Sequence, residues 1–277
     1  MIFDYKKLSR LNLKKRFSKR AFSHARYLEL YPVKSLISLH EGGTPLIESC
    51  QSFEFKLFFK NEAINPTGSF KDRGSSVEVA KALEFGAKRV VCASTGNMGA
   101  SVAAYSARAG LDCSILVPRD AKPIKLEQIL AYGARVYRIA GDYALTAKIV
   151  ERANKEFGIY LLGDYLWRRE GTKSVGFEIA EQIDADYIFC PIGNGTLISA
   201  LWKALCEFKK LRIIKELPKL IGVQASGCSP ICKAFKKRKK VMQERCKTIA
   251  VAIECSQPLD GKRALKALKE SEGLCVT

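Results

Sequence analysis

The stretch Asn65-Pro66-Thr67-Gly68-Ser69-Phe70-Lys71-Asp72-Arg73 sets a turn against the start of a helix and puts one lysine at the junction. Just upstream, Phe55 to Lys60 is rich in aromatic and apolar residues and reads as a strand, while Asn, Pro and Gly in 65–68 supply turn chemistry. Ser69 reads as a helix N-cap. With Asp72 three residues on it makes the Ser-x-x-Asp pattern of a capping box, so Lys71 falls in the first helical turn. The positive end of the helix dipole and the neighbouring Arg73 both disfavour an ammonium there. They push the amine towards its neutral form, which can make a Schiff base. On spacing alone, a solvated lysine at a helix start accounts for the same residues.

Outward from this stretch, β-rich runs alternate with helix-length segments. Strands are expected at Phe55 to Lys60, Arg89 to Cys92, Cys113 to Val117, Arg135 to Ile139, Tyr187 to Pro191 and Leu220 to Gln224. Helices are expected at Asp72 to Phe85, Ala100 to Ala109, Ile124 to Ala131, Asp142 to Phe157, Ser174 to Gln182 and Leu197 to Phe208. Such alternation means an α/β protein with parallel sheets and helices on both faces, whose ligands bind beyond the carboxyl ends of the strands. The 277 residues allow two moderate domains. We expect 1–51 with 166–277 as the larger and 52–165 as the smaller, the chain crossing near Gly163 to Gly171. The first 50 residues read as a basic arm packed on the body.

Composition narrows the function. No apolar run approaches the roughly 20 residues of a membrane span, and the N-terminus lacks an apolar signal core, so a soluble cytoplasmic protein is expected. The ten cysteines are scattered and read as small buried hydrophobes in a reducing compartment. With no Cys-x-x-Cys and only His24 and His40 to supply imidazole, no metal site is expected. Lys and Arg number 47 against 28 Asp and Glu, a formal charge of +19. That balance favours anionic ligands. Runs such as Lys236-Lys237-Arg238-Lys239-Lys240 lack interleaved aromatics, so a solvated basic surface is expected rather than a nucleic-acid site.

Two further loops follow strands. Ser94-Thr95-Gly96-Asn97-Met98-Gly99 offers backbone amides, two hydroxyls and a side-chain amide, a set that fits a carboxylate. Gly193-Asn194-Gly195-Thr196 lets the backbone approach a phosphate at a helix N-terminus. As a dinucleotide fingerprint it fails, because Ile198 stands where the third glycine belongs. Each loop alone could be an ordinary capping turn. Together, a lysine, a carboxylate-sized loop and a phosphate-sized loop suit one ligand set: pyridoxal phosphate with an amino-acid substrate.

At this point the sequence resembles the threonine synthase family of fold type II pyridoxal-phosphate enzymes, along nearly the whole chain from about Tyr27. The matching segments are Ser38 to Leu46, Asn65 to Gly74, Ser94 to Asn97, Arg168-Arg169-Glu170-Gly171-Thr172-Lys173-Ser174, Gly193 to Thr196 and Gly222 to Ala225. The resemblance implies two doubly wound, mainly parallel three-layer α/β/α domains of the tryptophan synthase β kind, and suggests a homodimer. It implies that Lys71 holds the cofactor and acts as general acid and base, and that Asn97 meets the cofactor's 3-hydroxyl. Ser94 and Thr95 would hold the substrate carboxylate, and Gly193, Asn194, Gly195 and Thr196 the cofactor phosphate. Arg168, with Arg169 beside it, would meet the substrate phosphate. The implied reaction turns O-phospho-L-homoserine and water into L-threonine and phosphate.

Three departures stand out. Leu162-Gly163 replaces an Asn-Ser pair common before the arginine, and Thr196-Leu197 replaces Gly and Asn. The sequence ends at Thr277, where family members usually continue, and no residue here is identified for the pyridine nitrogen. The alternatives are another fold type II activity, a threonine or serine dehydratase or a cysteate-synthase-like enzyme, or a short non-catalytic paralogue with a basic binding surface.

Overall fold

The computed structural model describes residues 3–277 apart from 120, 122, 142 and 164. The chain opens with two short helices, α1 (Tyr5–Ser9) and α2 (Leu13–Ser18), and a 3-10 turn, His24–Leu30. A small pair of strands follows, β1 (Leu46–Glu48) and β2 (Phe58–Lys60), then α3 (Lys71–Glu84), β3 (Arg89–Ala93), α4 (Asn97–Arg108) and β4 (Asp112–Pro118). Next come α5 (Pro123–Ala131), β5 (Arg135–Ile139), α6 (Tyr143–Phe157), β6 (Tyr160–Leu161), α7 (Leu166–Thr172) and α8 (Ser174–Gln182). The remainder is β7 (Tyr187–Pro191), α9 (Thr196–Lys210), β8 (Lys219–Val223), α10 (Pro230–Lys237), α11 (Gly261–Glu270) and β9 (Leu274–Val276). Two compact units divide the chain, one of residues 3–18 and 172–277 and one of residues 19–171.

In the unit of residues 19–171, four parallel strands run in the order β5-β4-β3-β6. The chain first steps outward from β3 through β4 to β5, then returns to the far side of β3. Right-handed crossovers made in opposite directions put their helices on opposite faces. Val90 and Cys92 of β3 accordingly pack with α3, α4 and α5 residues such as Val79, Val102 and Ile129, while Val91 and Ala93 pack with Val150 of α6. Burial on both faces explains why β3 is a run of apolar residues instead of an alternating pattern. The order reverses between β3 and β6, so the loops after those two strands lie at the switch point where open α/β sheets bind ligands.

Residues 19–51, expected with the larger domain, count with this unit, because Ile37 and Leu39 pack against its core. The strand expected from Phe55 begins only at Phe58. Phe53 and Phe55 are 43% and 64% exposed, and β2 pairs antiparallel with β1 outside the parallel sheet. A buried polar group also lies here. Glu41 accepts from Tyr105 Oη (2.8 Å), Ser38 Oγ (3.0 Å) and Leu39 N (3.0 Å), with His24 Nε2 at 4.0 Å. Burial pushes the Glu41 carboxyl up, but the charge of His24 and hydrogen bonds such as that of Tyr105 outweigh it and hold the carboxyl below its ordinary range.

In the other unit three parallel strands run β7-β8-β9. Ile188, Cys190, Leu220 and Cys275 are buried on one side, towards α9 and α11, while Tyr187, Phe189 and Leu274 are exposed on the other. The N-terminal arm packs on this body as expected: Phe17 is fully buried with its ring 6.1 Å from that of Phe208, and Tyr5 donates to Glu207 (2.8 Å). The expected helix and strand positions agree with the elements found to within a few residues, while Asp142, the expected start of α6, lies outside the described residues. Neither α10, α11 nor the short strands β1, β6 and β9 were expected. Among the described residues no helix is long and apolar enough to cross a membrane, and no cluster of His, Cys, Asp or Glu is arranged to hold a metal.

The cysteine expectation is corrected in this unit. Cys228–Cys246 and Cys232–Cys275 are disulfides, the second fastening α10 to β9. Spacings of 18 and 43 residues carry no framework signature, so only the fold shows which cysteines meet. In the chain-entropy account each closure is worth about 3–4 kcal/mol.

Alkylation of the unfolded, non-reduced protein is therefore expected to label six of the ten cysteines, and all ten after reduction. Ten labelled without reduction would contradict the disulfides. For Glu41, a folded-state value below the ordinary 4.5 means stability present above that pH and lost as pH falls through the folded value. The melting-temperature advantage of wild type over Glu41→Gln is expected to be largest near neutrality and to narrow below pH 4.5; a gap that widens in acid would contradict this.

Candidate active site

Lys71 is the first residue of α3, half-buried, with its ammonium 5.2 Å from the centre of the Phe70 ring. The turn before it is held differently from the expected capping box. Ser69 Oγ accepts only a long bond from Lys71 N (3.4 Å), and Asp72 reaches back to Thr67 instead, accepting from its N–H (2.7 Å) and its hydroxyl (2.6 Å). Gly68, at φ +84°, makes the left-handed step that brings Thr67 into that position. Burial raises the Asp72 carboxyl against the bonds from Thr67, and the charge of Glu41 adds to the rise.

Arg73 does not stand beside the amine as a bare charge. Its guanidinium is buried and bidentate on Glu62 (2.6 and 2.7 Å), with Thr44 Oγ1 at 3.1 Å. The residues of the Gly42-Gly43-Thr44-Pro45 turn are thereby tied to α3, since Asn65 Oδ1 also accepts from Gly42 N (3.0 Å). The repulsion expected of Arg73 is answered by Glu62.

The loop after β3 ends in α4, whose first residue is Asn97. Ser94 Oγ accepts from Gly96 N (3.3 Å) and Gly99 N (3.0 Å), which fixes the loop and leaves its O–H as the group to offer an anion. Thr95 and Asn97 are half-buried. First-turn amides of α4 add donors directed along the helix axis.

Arg168 is where geometry departs most from the expected role. Its side chain is fully buried, and its guanidinium donates to Glu78 Oε2 (2.6 Å), Ser75 Oγ (3.1 Å), the Lys71 carbonyl (3.2 Å) and the Gly163 carbonyl (3.0 Å). Glu78 Oε1 closes the ring by accepting from Gly163 N (2.6 Å). In this structure the guanidinium is engaged with acceptors of the protein itself. Breaking one side of such a buried pair costs about 3–5 kcal/mol.

In the other unit, the glycine loop leads into α9. Gly195 sits at φ +94°, and a Cβ there would approach Asp260 O and Ala264 Cβ at 3.1 Å. Asn194 Oδ1 accepts from Leu259 N (2.6 Å), and Thr196 Oγ1 donates to Asp260 (3.0 Å) while accepting from Asn194 Nδ2 (3.2 Å). These side chains brace the loop. What remains for a phosphate is the backbone, the N–H groups of the loop and the first turn of α9.

The donor sets fit pyridoxal phosphate: an amine at a helix start, amides and a hydroxyl for a carboxylate, and a glycine-lined helix N-terminus for a phosphate. Sequence reasoning passed over Asp72 as a brace on Thr67, and Glu62, Glu78 and Asp260 altogether. One signal was available. Lys71, Ser75 and Glu78 are spaced i, i+4, i+7 and share one face of α3.

Comparison with known proteins identifies the family. Residues 37–277 match the family model described as pyridoxal-phosphate dependent enzyme. The chain is similar to threonine synthase of Methanocaldococcus jannaschii, 42% identical over 99% of this chain and 71% of that one, and to threonine synthase of Methanosarcina acetivorans, 42% identical over 90% and 64%. It thus spans about two thirds of the length of these relatives. Among solved structures it is similar to a pyridoxal 5'-phosphate-dependent aspartate racemase (TM-score 0.72, 26% identity, 84% of this chain and 74% of that one). Maize serine racemase shares the fold (TM-score 0.72, 24% identity, 84% and 71%). The chain belongs to the pyridoxal-phosphate-dependent enzymes and, within them, to the threonine synthase family.

Proposed function

We propose that this chain carries out the threonine synthase reaction, O-phospho-L-homoserine and water giving L-threonine and phosphate, with Lys71 as the residue that holds the cofactor and moves protons. The observation that carries the reading is the lysine at the head of α3 in a turn fixed by Thr67 and Asp72, within a chain 42% identical to threonine synthase over nearly its whole length. Pyridoxal phosphate, when bound, supplies the electron sink that makes an amino acid's α-proton removable.

The chain's own residues would do the rest. Gly193, Asn194, Gly195 and Thr196 take the cofactor phosphate, chiefly through backbone amides, and Asn97 donates to the 3-hydroxyl. Ser94 through its O–H, Thr95 and the first-turn amides of α4 orient the substrate carboxylate. In the overall balance the γ-carbon loses its bond to phosphate oxygen and the β-carbon gains a hydroxyl from water. The amine of Lys71 carries the protons this exchange relocates. A small-molecule amino-acid phosphate is thus the partner, and a homodimer, as the family suggests, is the assembly we expect. A cytoplasmic location suits such a biosynthetic task. The two disulfides set a condition on it, since thiol pools reduce such bonds in most cytosols.

The engagement of Arg168 within the protein makes a dehydratase the reading to test against. With pyridoxal phosphate added, phosphate release from O-phospho-L-homoserine is expected to exceed 2-oxo acid formation from threonine or serine. Lys71→Ala is expected to lose both the visible cofactor band and turnover by about 10²–10⁴-fold or more. Oxo acid without phosphate release would replace the reading with a dehydratase, and neither product would favour a non-catalytic binding protein.

A further inference from the structure

We propose that Glu78 and Arg168 are positioning residues for Lys71, acting through the backbone of the first turn of α3 instead of through contact with substrate. The inference rests on the reading of Lys71 as the cofactor lysine.

Lys71, Ser75 and Glu78 form one stripe of α3, and the Arg168 guanidinium lies along it, touching the Lys71 carbonyl (3.2 Å), Ser75 Oγ (3.1 Å) and Glu78 Oε2 (2.6 Å). All three contacting residues beyond Lys71 are buried: Ser75 and Arg168 completely, Glu78 to 2% exposure. The carboxylate fixes the guanidinium, and the guanidinium fixes the carbonyl of the residue whose amine does the chemistry. From the other side Gly163 is gripped twice, its N–H by Glu78 (2.6 Å) and its carbonyl by Arg168 (3.0 Å). Gly163 follows β6, at the switch point of the sheet, so the pair joins the lysine turn to a loop at the ligand edge. Ser101 of α4 donates to Ser75 (2.7 Å) and brings the helix that starts at Asn97 into the same arrangement. An apolar pair of equal volume could fill the space, but it could not hold a carbonyl and a loop amide in register.

The test compares Glu78→Gln and Arg168→Lys with Glu207→Gln, which weakens a buried lysine pair in the other unit (Lys173, 2.9 Å). Mixed with pyridoxal phosphate, the first two variants are expected to form the visible lysine-cofactor band about tenfold more slowly and to lose roughly 100-fold in kcat, with KM within about twofold of wild type. Arg168→Lys keeps the charge yet is not expected to rescue, because the fork is what spans four acceptors. Glu207→Gln is expected to lower the melting temperature and leave the band unchanged.

A second readout needs neither turnover nor the cofactor. In the apo-protein, reductive methylation of Lys71 by formaldehyde and a hydride donor, followed by peptide mass spectrometry, is expected to speed up about threefold or more in Glu78→Gln relative to the other lysines, as the first turn is loosened. If a charge variant fails to fold, Ser75→Ala removes one acceptor from Arg168 and is expected to shift both readouts in the same direction. Wild-type band kinetics and wild-type Lys71 labelling in the folded variants would overturn the proposal. So would an Arg168→Lys effect confined to KM for the phosphorylated substrate, which would return Arg168 to the role of phosphate ligand. No band in wild type would defeat the cofactor reading instead, and Lys71 labelling would still decide the positioning role.

Discussion

The first two turns of α3 bury five polar side chains, Asp72, Arg73, Ser75, Ser76 and Glu78, and Asp72, Arg73, Ser75 and Glu78 each draw a partner from another part of the unit. A buried charge without a partner is costly enough to undo a fold. Asp72 is answered by Thr67, Arg73 by Glu62 and Thr44, Ser75 by Ser101 and Arg168, and Glu78 by Arg168 and Gly163. Each partner comes from a different stretch: the turn before the helix, the loop near residue 44, α4, α7 and the loop after β6. Placing one lysine at the head of such a helix therefore places it relative to every segment that borders the switch point.

The same economy explains which atoms are left for ligands. Ser94, Asn194 and Thr196 have the residue types expected of contacts, yet each spends side-chain capacity on holding its own loop. Backbone amides at the starts of α4 and α9 remain for anions, and they suit the task because the helix fixes their direction before any ligand arrives. The amine of Lys71 is different, since the proton-carrying role proposed for it needs freedom to move.

Much of this was legible in the sequence. The strand-helix alternation gave the parallel sheets because apolar runs such as Arg89 to Cys92 and Tyr187 to Pro191 recur between helix-length segments, and the three loops were visible because each follows such a run. Pairing at a distance was not legible. Ser69 and Asp72 have the spacing of a capping box, but Thr67 offers Asp72 two donors where the box offers one, so the carboxylate turned the other way. Arg168 matched a family position for phosphate, but three of its acceptors lie on α3, ninety or more residues earlier. The cysteines that pair are 18 and 43 residues apart and lie in a helix, a strand and loops. Local patterns fix local elements; which buried groups meet depends on the packing of those elements.

The account turns on Lys71 being the cofactor-bearing amine, and adduct mapping tests that most directly. Protein incubated with pyridoxal phosphate, treated with borohydride and digested should carry the reduced cofactor on the peptide containing Lys71, at close to one per chain, with the other lysines unlabelled. An adduct spread over surface lysines, or seated on a different single lysine, would contradict it.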